Sequence, residues 1–180
     1  MSYKPPAIES SYRQNDLGRS LYDFVRATKS KRVVEYGALH GYSAAAIGQA
    51  LRDVGEGGKL VSYDLWEAYS HNHGDIEEAR EAIATLGLSE FVEFRRGTLG
   101  DRSLDEFDLL HLDISNDGGK VREAVALFDG PILFEGGSPE RDLVPWMVRH
   151  GRAPIVGSCA YEIIDPRFPS LSLTYGEAKN

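Results

Sequence analysis

Apolar residues along the chain change their spacing repeatedly, and each change marks an element. Leu17, Leu21, Phe24 and Val25 recur at helical spacing and predict an amphipathic helix over residues 16–27. The apolar run over 32–35 reads as a buried strand, and the alanine-rich stretch 43–54 as the helix that follows it. Gly55-Glu56-Gly57-Gly58 is a turn, and 59–63 is a second strand ending at Asp64. Asp75 and Glu78 have capping-box spacing; Ile76, Ala79, Ile83 and Leu86 then line one helix face that Gly87 stops. Residues 91–95 and 108–113 are two further strands, and Val121, Ala124, Val125 and Phe128 mark a helix. Residues 131–134 form a fifth strand, closed by Glu135-Gly136-Gly137. Ser138-Pro139 opens a helix ended at Gly151, with Leu143, Trp146 and Met147 facing inward. Two late strands, 160–164 and 171–174, flank Asp165-Pro166-Arg167-Phe168-Pro169 as a closing hairpin. Residues 1–15, with Pro5-Pro6, read as an irregular arm.

Strands thus alternate with helices from residue 32 to residue 151. The expected class is α/β: a doubly wound, mostly parallel, seven-stranded sheet with helices on both faces and a C-terminal antiparallel hairpin. The 180 residues suit one domain spanning 1–180. Ligands in such sheets sit beyond the C-terminal ends of the strands. Four acids finish those strands: Glu35, Asp64, Asp113 and Glu135.

Charge and composition narrow the function. A net charge of -8 opposes nucleic-acid binding. No apolar run is long enough to span a membrane, and the N-terminus has no signal-peptide core. Cys159 is alone, which fits a reducing compartment, so the expected location is cytoplasmic. An exposed sheet edge would allow a homodimer.

The loop after the first strand carries the chemistry. Its spacing is Glu35-x-Gly37-x-x-x-Gly41-x-Ser43. The glycines would let a ligand approach the main chain without Cβ interference, and the helix N-terminus offers free N–H groups. A dinucleotide pyrophosphate needs the tighter Gly-x-Gly-x-x-Gly turn, which is absent, as is a phosphate-binding P-loop. An acid such as Asp64 after the second strand can accept both hydroxyls of a ribose. A cofactor with a ribose and no phosphate fits, and S-adenosylmethionine is one.

In the order of these segments the chain resembles class I S-adenosylmethionine-dependent methyltransferases, most of all small-molecule O-methyltransferases with a Glu-x-Gly-x-x-x-Gly-x-Ser loop. The resemblance implies a Rossmann-like methyltransferase fold. It also implies that Glu35, Gly37 and Gly41 line the methionine end of the cofactor, with Ser43 on its carboxylate. Asp64 would hold the ribose, and Leu65 or Trp66 would cover one adenine face. Thr98 stands where many relatives have an acid for the adenine amino group. Asp113 would lie near the methionine amino group and the reacting methyl. In metal-dependent relatives, acids after the fourth and fifth strands hold magnesium; Asp113 and Glu135 match two of those positions, but Gly136 replaces the usual third ligand. The segment Asp113-Ile114-Ser115-Asn116 lacks the Pro-Pro-Tyr of enzymes that methylate bases.

The expected reaction is methyl transfer to a small-molecule acceptor, at a hydroxyl oxygen. Asp113 is the first candidate for general base, followed by Glu135, His71 and His40. The alternative is a non-catalytic module that binds the same cofactor, and a nicotinamide-dependent oxidoreductase is a third reading. Plainer roles stand beside the chemical ones. His111 reads as a hydrogen-bonded core histidine. His71, His73 and Asp75 could bind zinc, but no fourth ligand lies nearby, so that loop reads as a lid. Trp66 and Tyr69 could stack on adenine or on an aromatic acceptor.

Overall fold

The computed structural model describes residues 2–14, 16–70, 73–114, 118–135, 163–168 and 171–176. The expected helix from Ser138 and the first three residues of the late strand at 160–164 lie outside them.

The sheet is built from strands that are apolar on both faces, the signature of a buried parallel sheet. β1 (Arg32–Tyr36) is buried at every position but its first. It pairs in parallel with β2 (Lys59–Asp64) on one side and β4 (Leu109–Leu112) on the other. β3 (Val92–Arg96) extends the sheet beyond β2, and β5 (Pro131–Glu135) beyond β4. β6 (Ile163–Ile164) and β7 (Leu171–Tyr175) close it in antiparallel fashion, with Glu135 opposite Leu171. The order is β3-β2-β1-β4-β5-β7-β6, seven strands as the alternation predicts. Strand order reverses between β1 and β4, and that switch point opens a crevice at the strand ends.

Side chains alternate across each strand, so the sheet divides two cores. Val33, Leu60, Leu109 and Leu133 face one side, where α1 (Leu17–Thr28), α2 (Tyr42–Val54) and α3 (Ile76–Thr85) pack. Val34, Val61, Leu110, Ile132 and Phe134 face the other, against Val121 and Ala124 of α4 (Gly118–Leu127). Ala44, Ala45, Ala46 and Ala50 are fully buried, and their small side chains let α2 lie close to the sheet. Asp75 caps α3 by accepting from the N–H groups of Glu77 and Glu78, as its sequence position predicts.

The N-terminal arm differs from expectation. It contains a 3-10 turn at Ser11–Gln14 and is fastened along its length. The backbone N–H of Lys4 donates to Gln49 Oε1 (3.1 Å), and Gln49 Nε2 donates back to the Lys4 carbonyl (2.9 Å). Pro6, Ile8 and Tyr12 are buried. Their irregular spacing carries no helical or strand period, so no local pattern announces this order.

Gly48, inside α2, gives a test of the packing. Alanine normally favours a helix interior over glycine by about 1 kcal/mol. Here a Cβ would sit 2.6 Å from Cγ2 of the β-branched Val92. Gly48→Ala should therefore destabilise the fold, by about 1–3 kcal/mol in urea unfolding; a stabilised variant would contradict the helix–sheet packing.

Candidate functional site

A cavity of about 430 Å³ occupies the crevice, within the range of small-molecule sites. Its walls come from the loop after β1 (Gly37, Ala38, Leu39, His40), the start of α2 (Tyr42, Ser43) and the end of β2 (Asp64, Leu65). Gly97 and Thr98 follow β3, Asp113 and Ile114 follow β4, and Tyr69 and Lys120 complete that side. The arm supplies a further wall, Glu9 to Tyr12. Most of the residues picked out from sequence thus meet in one place.

Asp64 organises that place. Its Oδ2 accepts from the backbone N–H groups of Ala38 (2.8 Å) and Leu39 (2.9 Å), and its Oδ1 from that of Trp66 (3.0 Å). Leu39 and Trp66 have positive φ angles of 49° and 52°, a region costly for residues with side chains. Charge-assisted hydrogen bonds from these amides to a half-buried carboxylate offset that cost. The acid expected to take a ribose is therefore also the brace of the glycine loop. A carboxylate has about four acceptor sites, so three backbone donors leave it able to accept further.

The glycines act differently from expectation. Gly37 (φ 97°) does border the cavity, but a Cβ there would lie 2.2 Å from the Asp113 carbonyl oxygen. At Gly41 (φ 84°) a Cβ would meet the Phe94 ring at 3.0 Å. The space freed by both is filled by protein. Their absence of side chains serves close packing of loop against strand, in a backbone conformation that favours glycine.

Two expected cofactor contacts are also corrected. The Trp66 indole is fully buried, packs edge-on against Phe94 and donates to the Arg95 carbonyl (3.1 Å). The positive φ of Trp66 turns it into the core, so Leu65, 41% exposed, is the apolar face at the cavity. Glu35 is fully buried and lies one residue short of the end of β1, on the α2 side of the sheet. It accepts from Ser62 Oγ (2.5 Å) and from His111 Nδ1 (2.9 Å), its direct neighbours on β2 and β4. Burial lowers the His111 pKa, but the hydrogen bond and charge of Glu35 outweigh it and hold the imidazole above its ordinary value. The core reading of His111 fits this pairing.

Asp113 stands between that buried pair and the cavity. Burial raises its pKa to about 6. The nearby charge of His111 and a hydrogen bond from Tyr12 work against the rise; the charges of Glu35 and Asp64 add to it. The Tyr12 hydroxyl donates to Asp113 Oδ1 at 2.6 Å, across 101 positions of sequence. Tyr12 and Lys120 are cavity residues that sequence reasoning missed; neither belongs to a motif. Lys120 forms an ion pair with Glu123 (2.6 Å). His40 lies at the cavity wall, half-buried. His71 lies outside the described residues, and of Glu135 only its place at the end of β5 is described. Among the described residues no group of three or more His, Cys, Asp or Glu side chains converges on a metal position. One oxygen of Asp113 is engaged by the phenol, and the side chain of Glu135, the second expected magnesium ligand, lies outside the described residues.

Comparison with known proteins gives the family and the fold. Residues 34–137 match the family described as a methyltransferase domain. A methyltransferase of Podospora anserina bound to S-adenosylhomocysteine shares the fold, with a TM-score of 0.63 and 20% identity over 94% of this chain and 80% of that one. A putative O-methyltransferase of Klebsiella pneumoniae does so with a TM-score of 0.59 and 21% identity, covering 96% of this chain and 84% of that one. The O-methyltransferase of Bacillus cereus in complex with S-adenosylhomocysteine has a TM-score of 0.59 and 19% identity, over 94% and 82%. No curated protein matches the sequence significantly. Among the described residues no helix is long and apolar enough to cross a membrane.

The raised pKa of Asp113 has a consequence for the ligand-free protein. The folded state holds this proton more tightly than the unfolded chain, whose carboxyl titrates near 3.8. Asp113 therefore contributes stability below that pH, and the contribution is lost as pH rises to about 6. Asp113→Asn should flatten the decline in stability between pH 4 and pH 6, measured by denaturant titration; a parallel decline in both proteins would exclude Asp113 as its source.

Proposed function

This chain belongs to the family of methyltransferase domains, and from that premise we propose that it transfers a methyl group from S-adenosylmethionine to a hydroxyl oxygen of a small molecule. The observation that carries the reading is the cavity at the sheet's switch point, walled by the braced glycine loop, Asp64, Thr98 and Asp113. The relatives solved with S-adenosylhomocysteine support the choice of cofactor. When bound, that cofactor supplies a methyl group made electrophilic by its sulfonium.

The chain's own residues supply placement. Asp64, already holding the loop, accepts from the ribose hydroxyls. Leu65 covers one face of the adenine, and Thr98 bonds its edge without charge. Gly37, Ala38 and Leu39 border the amino-acid end, and Ser43 at the start of α2 meets the carboxylate where helix N–H groups are free. Asp113 faces the amino group and the acceptor. With a pKa of about 6 in the ligand-free protein, its carboxyl is ionised at neutral pH and can accept a hydrogen bond from either. Alignment of acceptor oxygen, methyl and sulfur is the main catalytic contribution asked of the protein.

The setting follows from the same reading. A net charge of -8 suits a small-molecule acceptor better than a nucleic acid. The lone Cys159 suits the cytoplasm.

Isothermal titration with S-adenosylhomocysteine tests the proposal: saturable one-to-one binding is expected, and no binding of either this product or its methylated parent removes it. Asp64→Ala should weaken binding by at least about 1–3 kcal/mol, because it deletes the ribose acceptor and leaves three loop amides unsatisfied. Unchanged affinity would contradict the ribose assignment.

A further inference from the structure

The arm is tied down at three separate points. Near its start, Lys4 exchanges two hydrogen bonds with the Gln49 amide of α2. Beside them, the Tyr3 hydroxyl meets that of Tyr42 (3.3 Å). Gly18 keeps a notch for it: a Cβ there would lie 2.2 Å from the Tyr3 oxygen. At its far end, Tyr12 is bonded to Asp113. Between these anchors Pro6 and Ile8 are buried, and Glu9, Ser10 and Ser11 line the cavity beside Tyr12. Such a segment is a strap across α2 that ends on the carboxylate at the end of β4.

The bond from Tyr12 fixes how that carboxylate is presented. A phenol 2.6 Å from Oδ1 holds the group against rotation. Tyr12 is itself held: it is 8% exposed, and its backbone N–H donates to Ser10 Oγ (3.1 Å). Locking the side chains around a site in this way is how a fold preorganises it. We propose that the strap completes the seat that the glycine loop and Ser43 give the cofactor's amino-acid tail, with Tyr12 a positioning residue that acts through Asp113 and Gln49 a remote anchor. Oδ2, which Tyr12 leaves alone, meets the ligand's ammonium group, while the strap covers the tail. The inference rests on the methyl-donor reading.

Two ligands separate the possibilities: S-adenosylhomocysteine, and 5′-methylthioadenosine, which has the same nucleoside and no amino-acid tail. Tyr12→Phe removes one oxygen and keeps the ring. It should weaken S-adenosylhomocysteine about tenfold, the effect of a lost hydrogen bond to a charged group, and leave the truncated ligand unchanged. Gln49→Ala, remote from the cavity, should shift the two ligands in the same unequal way by a smaller factor. Equal losses for both ligands would mark a merely structural role and overturn the proposal, as would unchanged affinity for S-adenosylhomocysteine. Hydrogen exchange is an independent readout. S-adenosylhomocysteine should slow exchange of the strap amides in the parent protein and not in Tyr12→Phe; a strap indifferent to the ligand also overturns the seat. If the parent protein binds neither ligand, the methyl-donor reading fails and the seat with it, a result distinct from loss in the variants alone.

Discussion

The carboxylate of Asp64 holds the loop that the rest of the site depends on. Two of its bonds fix Ala38 and Leu39, and a third fixes Trp66, joining the exits of β1 and β2. Its bonds offset the cost of the positive φ angles at Leu39 and Trp66. With them, α2 begins at the cavity wall, Leu65 faces the opening, and the Trp66 indole turns down onto Phe94. One acid therefore decides which neighbouring side chains belong to the site and which to the core.

The crevice concentrates negative charge, and the fold treats each acid differently. Glu35 is paired with His111 and bonded by Ser62, so its charge is balanced inside the sheet. Asp64 is satisfied by backbone donors. Asp113 is buried with other acids nearby, so its proton is harder to remove, and the phenol on one oxygen only partly offsets this. A cationic ligand would relieve that repulsion, since opposite charge favours the ionised carboxylate. The positive sulfonium and ammonium groups of a methyl donor suit a pocket built this way, which is why the electrostatics and the family membership point in one direction.

Rigidity around the cavity comes from close backbone approaches. Gly37 packs its α-carbon against the Asp113 main chain, and Gly41 packs against Phe94. The Tyr12 bond then ties the arm to the same strand end. β1, β4 and the N-terminal segment thus meet at one residue, Asp113. A change there would be felt in the loop, the strap and the cavity together.

The chain's own periodicities determined the fold. Runs apolar on both faces gave β1 and β4, the 3.6-residue spacing of Leu17, Leu21 and Phe24 gave α1, and Asp75 marked the start of α3, because each signal is local to a few residues. The strand-end position of Asp64 and Asp113 was legible for the same reason. What local spacing could not decide was where side chains point once strands pair. Glu35 looked like a loop acid until its register against Ser62 and His111 turned it inward, and Trp66 looked like an adenine lid until its backbone angle buried it. Tyr12 carried no signal at all, because its partner lies 101 positions away and only tertiary packing brings the two together.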